Sequence, residues 1–368
     1  MGRTVAVFTD TYLPTVNGVT YTVQTWRKHW ADRGGRMPIV YPGADEYEPA
    51  ADEYPVRSFE FPFYDEFNAA VPLVPDEIED ADPDLVHTHT PFLLGLSGLR
   101  FARSQGVPLV ASYHTPTAEY ADYIAEGWLR SPVERAARTY EKWYLNRAET
   151  VVVPSEPARH HLREIGVRTA VEVVPNGVDT DRFAPVDASD FVEAHDLDTG
   201  NPLVGYTGRH GFEKQLELVV EATDGMDVTV VFGGDGPARD RLERLAADAD
   251  VDVRFLGFLD REDLPAFYSA LDVFAFPSPV ETQGLVALEA NACGTPVAAV
   301  DAGALSDTVV TGETGYRAPP GDPEGFRAAI ERTLAERDAL REHCLDNRDA
   351  VSVDHAVDKL SEVYETLL

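Results

Sequence analysis

Positive charge is what this chain has least of. Against 64 Asp and Glu it sets 31 Lys and Arg, a formal net charge of -33, and its only lysines are Lys28, Lys142, Lys214 and Lys359. That balance argues against nucleic acid as a partner, because neutralising phosphates takes clustered Lys and Arg. The acid is spread along the chain instead of gathered in a tail. It reads as a solvated, halophilic surface, suited to salt that screens self-repulsion. Cysteine is equally scarce: Cys293 and Cys344 supply neither a disulfide framework nor a zinc spacing. Long apolar runs are missing too. No run of about eighteen apolar residues occurs, so no spanning helix is expected. The opening VAVFTD enters a strand without a charged leader, and Ala6 stands where myristoylation of Gly2 would need Ser or Thr. The expected location is cytoplasmic.

What is present is ample apolar material, 44% of 368 residues, which is more than one ordinary core and implies two domains. Short apolar strands alternate with longer amphipathic segments, the pattern of a parallel sheet covered on both faces. Strands are predicted at 5–9, 38–41, 85–89, 109–113, 150–154 and 171–174, with helices at 19–32, 132–147 and 156–165. A second series follows at 203–207, 228–232, 253–256, 273–277, 297–300 and 315–318. The economical architecture is α/β, two doubly wound domains facing across a cleft. They are placed at 1–175 and 201–345, with 176–200 as linker and 346–368 as a C-terminal helix packing back on the first domain. Ligands in such sheets bind beyond the carboxyl ends of strands.

The chain is organised around PSPVETQGLVALEANACGTPV, residues 277–297. A strand enters it, and a helix at 284–292 leaves with Leu285, Leu288 and Ala292 at one-face spacing. The amides of Gly284, Leu285 and Val286 fall in the first turn, where the helix dipole favours an anion. Glu281 lies just before the helix, and Glu289 about two turns inside it. Carboxylates do not bind phosphate, so their expected targets are hydroxyls, of a sugar and of a ribose. An anion site between two such acids suggests a nucleotide sugar; a capped surface helix with solvated acids is the plainer account.

Four other stretches carry chemistry. The first βα turn, TDTYLPTVNGVT, holds Asn17-Gly18, a turn that tolerates positive φ and exposes amides to a diphosphate. An ordinary loop is the alternative, and the glycine-rich dinucleotide fingerprint is absent. His87 and His89 end one strand on the same side, and His114 ends another. No third ligand spacing points to a metal; a hydrogen bond to substrate is the functional reading and a satisfied core histidine the other, the latter weightier for His87. In GRHGFEKQ, Arg209 and Lys214 flank a strand-to-helix turn and make an anion site that needs no metal, unless Glu213 takes either cation. GGDGP lacks the Lys-Ser/Thr of a Walker motif and reads as packing, with a nucleotide contact at Gly234.

These residues together resemble the retaining GT-B glycosyltransferases, specifically glycosyltransferase family four, over essentially the whole chain. The likeness rests on Asn17-Gly18, SYHT with His114, VPNGVDTDRF at 174–183, GRHGFEKQ, GGDGP, and Glu281-x7-Glu289 with EANACGTPV. The opening FTDTYLPTVNGVTYTV with HTHTPFLLG looks closest to lipid-glycosylating members of the mannosyl- and sulfoquinovosyl-diacylglycerol type. The resemblance implies a metal-independent transfer from a UDP- or GDP-sugar to a lipid or glycan acceptor, with no cofactor. Arg209 and Lys214 would hold the diphosphate, Glu281 the donor sugar and Glu289 the ribose. Gly284, Leu285, Val286 and, from the other domain, Gly18 would give amides to phosphate. His114 would contact the transferred sugar near the reacting carbon, with His89 and Tyr113 on the acceptor side. The sequence departs from the family where Gln283 replaces the usual aromatic residue, and where Asp307 in AGALSDTVV follows in place of a glutamate in a Gly-rich turn. An NAD-type oxidoreductase and a non-catalytic nucleotide-sugar-binding protein are the competing classes. The segment 120–147, with Trp128, Arg130, Arg135, Arg138 and Trp143, reads either as an interfacial helix on the inner face of a membrane or as a buried crossover helix.

Overall fold

The structure is a computed structural model describing residues 2–60, 68–114 and 130–368. It comprises two compact units: residues up to Asn176 together with Ala356–Leu368, and Gly177–His355.

The first unit is built on a parallel sheet of β1 (Val5–Phe8), β2 (Ile39–Pro42), β3 (Glu53–Val56), β6 (Leu85–Thr88), β7 (Leu109–Ser112), β8 (Thr150–Val153) and β9 (Ala170–Val173). The order is β3-β2-β1-β6-β7-β8-β9, so the winding reverses between β1 and β6. A short antiparallel pair, β4 (Ser58–Glu60) with β5 (Asn68–Ala70), stands apart. The central strands VAVF, LVHT and LVAS are buried at every position, as strands covered on both faces must be. Helices α1 (Gly18–Asp32), α2 (Leu93–Gln105) and α3 (Arg130–Leu145) supply cover, and Phe8, Phe101, Tyr144 and Leu162 meet in the core.

The second unit carries β10 (Leu203–Thr207), β11 (Thr229–Gly233), β12 (Asp252–Gly257), β13 (Val273–Phe276), β14 (Val297–Val300) and β15 (Gly315–Ala318). Its order, β12-β11-β10-β13-β14-β15, is the doubly wound arrangement with its switch between β10 and β13. Both doubly wound domains expected from the alternation of elements are present.

Three boundaries differ from expectation. Residues 177–200 are not a linker: Val178, Phe183, Phe191 and Leu197 are buried in the second core, and Ser189–Ala194 is helical. Their burial follows no period because single anchors pin an irregular path, with Arg348 donating to the carbonyls of Thr180 and Phe183. The C-terminal 346–368 is not one helix. Arg348–Val351 belongs to the second unit, and only Ala356–Leu368 joins the first. Strand β3 was not anticipated, since EYPV carries an acid and a proline and reads as loop. Proline is tolerated because β3 is an edge strand.

Candidate functional site

In the second unit the loops leaving β10 and β13 lie over the switch point. Gly208 (φ +137) turns the chain after β10, and Phe212–Lys214 forms a single 3-10 turn before the helix Glu217–Thr223. Lys214 Nζ donates to Glu281 Oε1 at 2.7 Å, joining the two loops. Burial opposes charge on Lys214, but Glu281, Tyr206 and the hydrogen bond prevail and hold its pKa above that of an ordinary lysine. It is therefore a fixed cation. Arg209 pairs with Glu213. Glu213 thus takes one of the two cations, as the plainer reading allowed, and leaves Lys214 to Glu281.

Helix α4 (Leu285–Ala292) follows, capped by Gly284 in the left-handed region at φ +78. That φ favours glycine, and a Cβ there would lie 2.8 Å from Leu305 Cδ2, which would have to shift. Bonds to the Gly284 carbonyl begin with Ala287 and Leu288, which leaves the amides of Leu285 and Val286 among the first-turn donors. The helix is not amphipathic as expected: Ala287 through Ala292 are all buried, because β13 and β14 and neighbouring helices surround it. Glu289 is buried with them and accepts from Tyr268 Oη at 2.9 Å. Burial raises its pKa to about 7, against the opposing pull of Arg261 and the Tyr268 bond. The loop at 303–304 packs on Glu281, whose carbonyl accepts from the Ala304 amide at 3.0 Å. Asp307 is exposed one turn on, while Gln283 is buried and its carbonyl accepts from Thr308 Oγ1.

Gly234 carries the packing expected of GGDGP. Its amide donates to the Gly257 carbonyl at 2.6 Å, so it is spent inside the fold. What the glycine provides is close approach: with φ +101, a Cβ there would fall 2.0 Å from the Gly208 carbonyl oxygen. The glycine-rich loop is a backbone seat for the Arg209–Lys214 loop.

In the first unit the long loop after β1 ends at α1. Asn17 is extended (φ -153), not left-handed; it caps α1 by accepting from the Thr20 amide at 3.0 Å and donates to Thr11 Oγ1 at 2.8 Å. Gly18 is the first helical residue, and its amide is a first-turn donor. Beyond β6 and β7 the three strand-end histidines meet. His87 Nδ1 lies 2.6 Å from Tyr364 Oη and its Nε2 2.8 Å from Ser112 Oγ, the satisfied core histidine. Its ring stacks on His89 at 4.3 Å between centroids, and His89 Nδ1 lies 2.9 Å from His114 Nε2. Burial lowers all three pKa values, His87 to about 3, His114 to about 4 and His89 well below the ordinary range. His89 and Tyr113, expected on the acceptor side, are only 3% and 4% exposed. Tyr113 stacks near His161.

Two buried acids were missed. Asp10 accepts from Thr90 Oγ1 (2.6 Å) and from the Leu94 amide (2.8 Å), tying the end of β1 to the start of α2; burial raises its pKa in spite of those bonds. Glu53 accepts from Tyr12 Oη (2.9 Å), Tyr47 Oη (2.7 Å) and Arg27 (2.7 Å), anchoring the first loop to α1 and β3. In so acidic a chain neither residue stands out, since only burial separates it from a solvated acid.

Among the described residues no group of three or more His, Cys, Asp or Glu is placed to hold a metal ion, and no helix is long and apolar enough to cross a membrane. Of the segment 120–147, residues 120–129 lie outside the described residues. The rest, α3, buries Glu141, Tyr144 and Leu145 and leaves Trp143 exposed under Arg147.

Residues 16–182 match the family Glycosyltransferase Family 4, and residues 187–349 match Glycosyl transferases group 1. A GDP-mannose-dependent alpha-mannosyltransferase of Mycolicibacterium smegmatis is 32% identical over 346 residues, 90% of this chain and 89% of that one. The chain belongs to glycosyltransferase family 4. The transferase is also 31% identical over 338 residues to sulfoquinovosyl transferase SQD2 of Arabidopsis thaliana; the match covers 88% of this chain and spans 65% of the plant relative. With alpha-monoglucosyldiacylglycerol synthase of Streptococcus pneumoniae it shares 28% identity over 318 residues, 80% of this chain and 70% of that one. Among solved structures, sucrose-phosphate synthase from Thermosynechococcus elongatus superposes with a TM-score of 0.81 at 24% identity over 99% of both chains, which shows the GT-B fold. It is a glycosyl-transferring enzyme of the hexosyltransferase kind, not an NAD-type oxidoreductase.

Proposed function

We propose that the transferase moves a sugar from a UDP- or GDP-sugar to a lipid or glycan acceptor, with retention at the anomeric carbon and without a metal. The observation that carries this is the Lys214–Glu281 pair over the β10/β13 switch, next to the first-turn amides of α4. Departure of the diphosphate places new negative charge where a fixed ammonium and oriented amides await it, and preorganised donors of this kind are the strongest lever on such a step. In this reading Lys214 and Arg209 hold the diphosphate. Leu285 and Val286 add amides, with Gly284 freeing the turn and Gly18 giving a further amide. Glu281 accepts from hydroxyls of the donor sugar while orienting Lys214, and Glu289 accepts from the ribose. His114 contacts the sugar being transferred. Retention is assigned to a front-face displacement in which the leaving phosphate takes the acceptor proton.

A lipid acceptor is favoured because one relative is named a monoglucosyldiacylglycerol synthase. Such an acceptor would bring the enzyme to the inner face of a membrane, with the acidic surface serving a salty cytoplasm. The test is release of nucleoside diphosphate from a panel of UDP- and GDP-sugars with lipid extract, in high salt plus chelator. One donor should turn over despite chelation, and Lys214→Ala or Glu281→Ala should lower kcat by about a hundredfold or more. Loss of turnover on chelation would end the metal-free reading. Failure to bind any nucleotide sugar would end the donor assignment.

A further inference from the structure

Glu289 has two carboxylate oxygens, and the fold occupies one of them. Oε2 accepts from Tyr268 Oη at 2.9 Å. Oε1 has no hydrogen-bond partner among the described residues, yet it is not sealed in: Glu289 is 8% exposed, and neither of its oxygens is both buried and unpaired. One oxygen is tied to the core and the other is left to a ligand. A tyrosine hydroxyl has a single proton, and towards a carboxylate it can only donate, so the sense of the Tyr268 bond is fixed.

Tyr268 reaches Glu289 from the helix Leu264–Ala270, which packs on α4. Its ring is wholly buried, edge-on to Phe267 and Phe274 at 5.7 Å each and tilted against Phe183 at 6.1 Å. Its carbonyl accepts from Thr295 Oγ1 at 2.6 Å. Phe183 ends the stretch VPNGVDTDRF, where Asp179 closes a turn. The Asp179 carbonyl accepts from the Phe183 amide at 2.8 Å, and Asp179 Oδ1 accepts from the Arg182 amide at 3.2 Å. Arg348 donates to the Phe183 carbonyl, and the Arg261 guanidinium lies over the Phe183 ring, 5.4 Å from its centroid. The turn is therefore a rigid wall for the Tyr268 ring.

We propose that Tyr268 is a positioning residue for donor binding: by occupying Glu289 Oε2 it holds the carboxylate so that Oε1 meets a ribose hydroxyl, and NGVDTDRF is the seat that keeps Tyr268 in place. The inference rests on Glu289 accepting from the ribose, as proposed above. A carboxylate already held in place loses less freedom when the donor binds. The Tyr268 bond also favours the ionised acid, the stronger acceptor. Arg261 and Arg182 act on Glu289 in the same sense, against burial. Cys293, at the end of α4, is kept neutral by its own burial, with Arg341 and Arg348 facing it from the helices Arg337–Asp346 and Arg348–Val351.

The test is titration calorimetry of the full chain with UDP, GDP and their 2′- and 3′-deoxy analogues, on wild type and Tyr268→Phe. The variant should fold, because the ring keeps its seat and Glu289 can take up a proton; circular dichroism checks this. At pH 7.5, loss of the recognised ribose hydroxyl should cost wild type about tenfold in affinity. In Tyr268→Phe the same loss should cost less than about threefold, with the deoxy analogue bound within about twofold of its wild-type affinity. The rise of affinity with pH should move upward in the variant by on the order of one unit. Phe183→Leu keeps the hydroxyl and loosens its seat; it should lie between the two, and it carries the test if Tyr268→Phe does not fold. A cost still near tenfold in the variants overturns the proposal. Equal weakening of the ribose and deoxyribose nucleotides also overturns it, since that marks a merely disturbed pocket. A pH dependence left in place overturns the part that concerns ionisation. If wild type binds UDP or GDP and neither deoxy analogue is weaker, the ribose reading of Glu289 fails and takes the proposal with it. If neither UDP nor GDP binds, it is the donor assignment that falls first.

Discussion

At the scale of single residues, the two glutamates of the Glu281-x7-Glu289 stretch are alike in sequence and different in chemistry. Glu281 faces a lysine across 2.7 Å, whereas Glu289 is buried against Tyr268 with its pKa raised to about 7. If donor binding uses the ionised Glu289 carboxylate, affinity should rise with pH through about 7 and level off above it. Glu289→Gln should bind the donor on the order of tenfold more weakly, the worth of one charge-assisted bond, and show no such rise. Isothermal titration between pH 5.5 and 8.5 checks both. The spacing of the two acids was legible because a helix places residues by number. Their environments were not, since Tyr268 and Lys214 reach them from other elements. The same limit hid Asp10 and Glu53, and it hid the contact between His89 and His114.

At the scale of elements, the parallel strands were legible because fully buried strands are continuous apolar runs, and the edge strand β3 was not, because its register is held by neighbours and not by its own side chains. Glycines were legible as turns but not as what they touch. GGDGP is legible as packing, but its pattern does not show that the Gly234 amide is taken by Gly257 or that its missing Cβ admits the backbone of Gly208. Gly234→Ala should therefore destabilise the second unit by at least about 2 kcal/mol, from left-handed strain together with the clash. It should also weaken donor binding through displacement of the Arg209–Lys214 loop. Urea unfolding followed by tyrosine fluorescence, with donor titration of the folded fraction, measures the two effects separately.

At the scale of the molecule, the two units carry opposite linkages to pH. In the first, burial lowers the pKa values of His87, His89 and His114. The unfolded chain takes up protons near 6.5 that the folded histidines refuse, so this stability is present above about 6.5 and drains as pH falls toward 3. In the second, Glu289 rises from 4.5 to about 7, so its contribution is present below 4.5 and is lost as pH rises through 7. Acidification from pH 7 to 5 should cost the first unit at least about 2 kcal/mol while favouring the Glu289 site. All four tryptophans, Trp26, Trp30, Trp128 and Trp143, lie in the first stretch of the chain. Their fluorescence should therefore show a lower urea midpoint at pH 5 than at pH 7. Two-domain organisation was legible from the repeated strand series, and so was the chain's return to the first unit, though its start was set at 346 and not at Ala356, because nothing in the local pattern marks where a helix changes partner. That return has a consequence for synthesis. Tyr364, which holds His87, is made 277 residues after it. At about 5–20 residues per second, the first unit waits tens of seconds on the ribosome, its histidine stack unsealed, until the last segment emerges to close it.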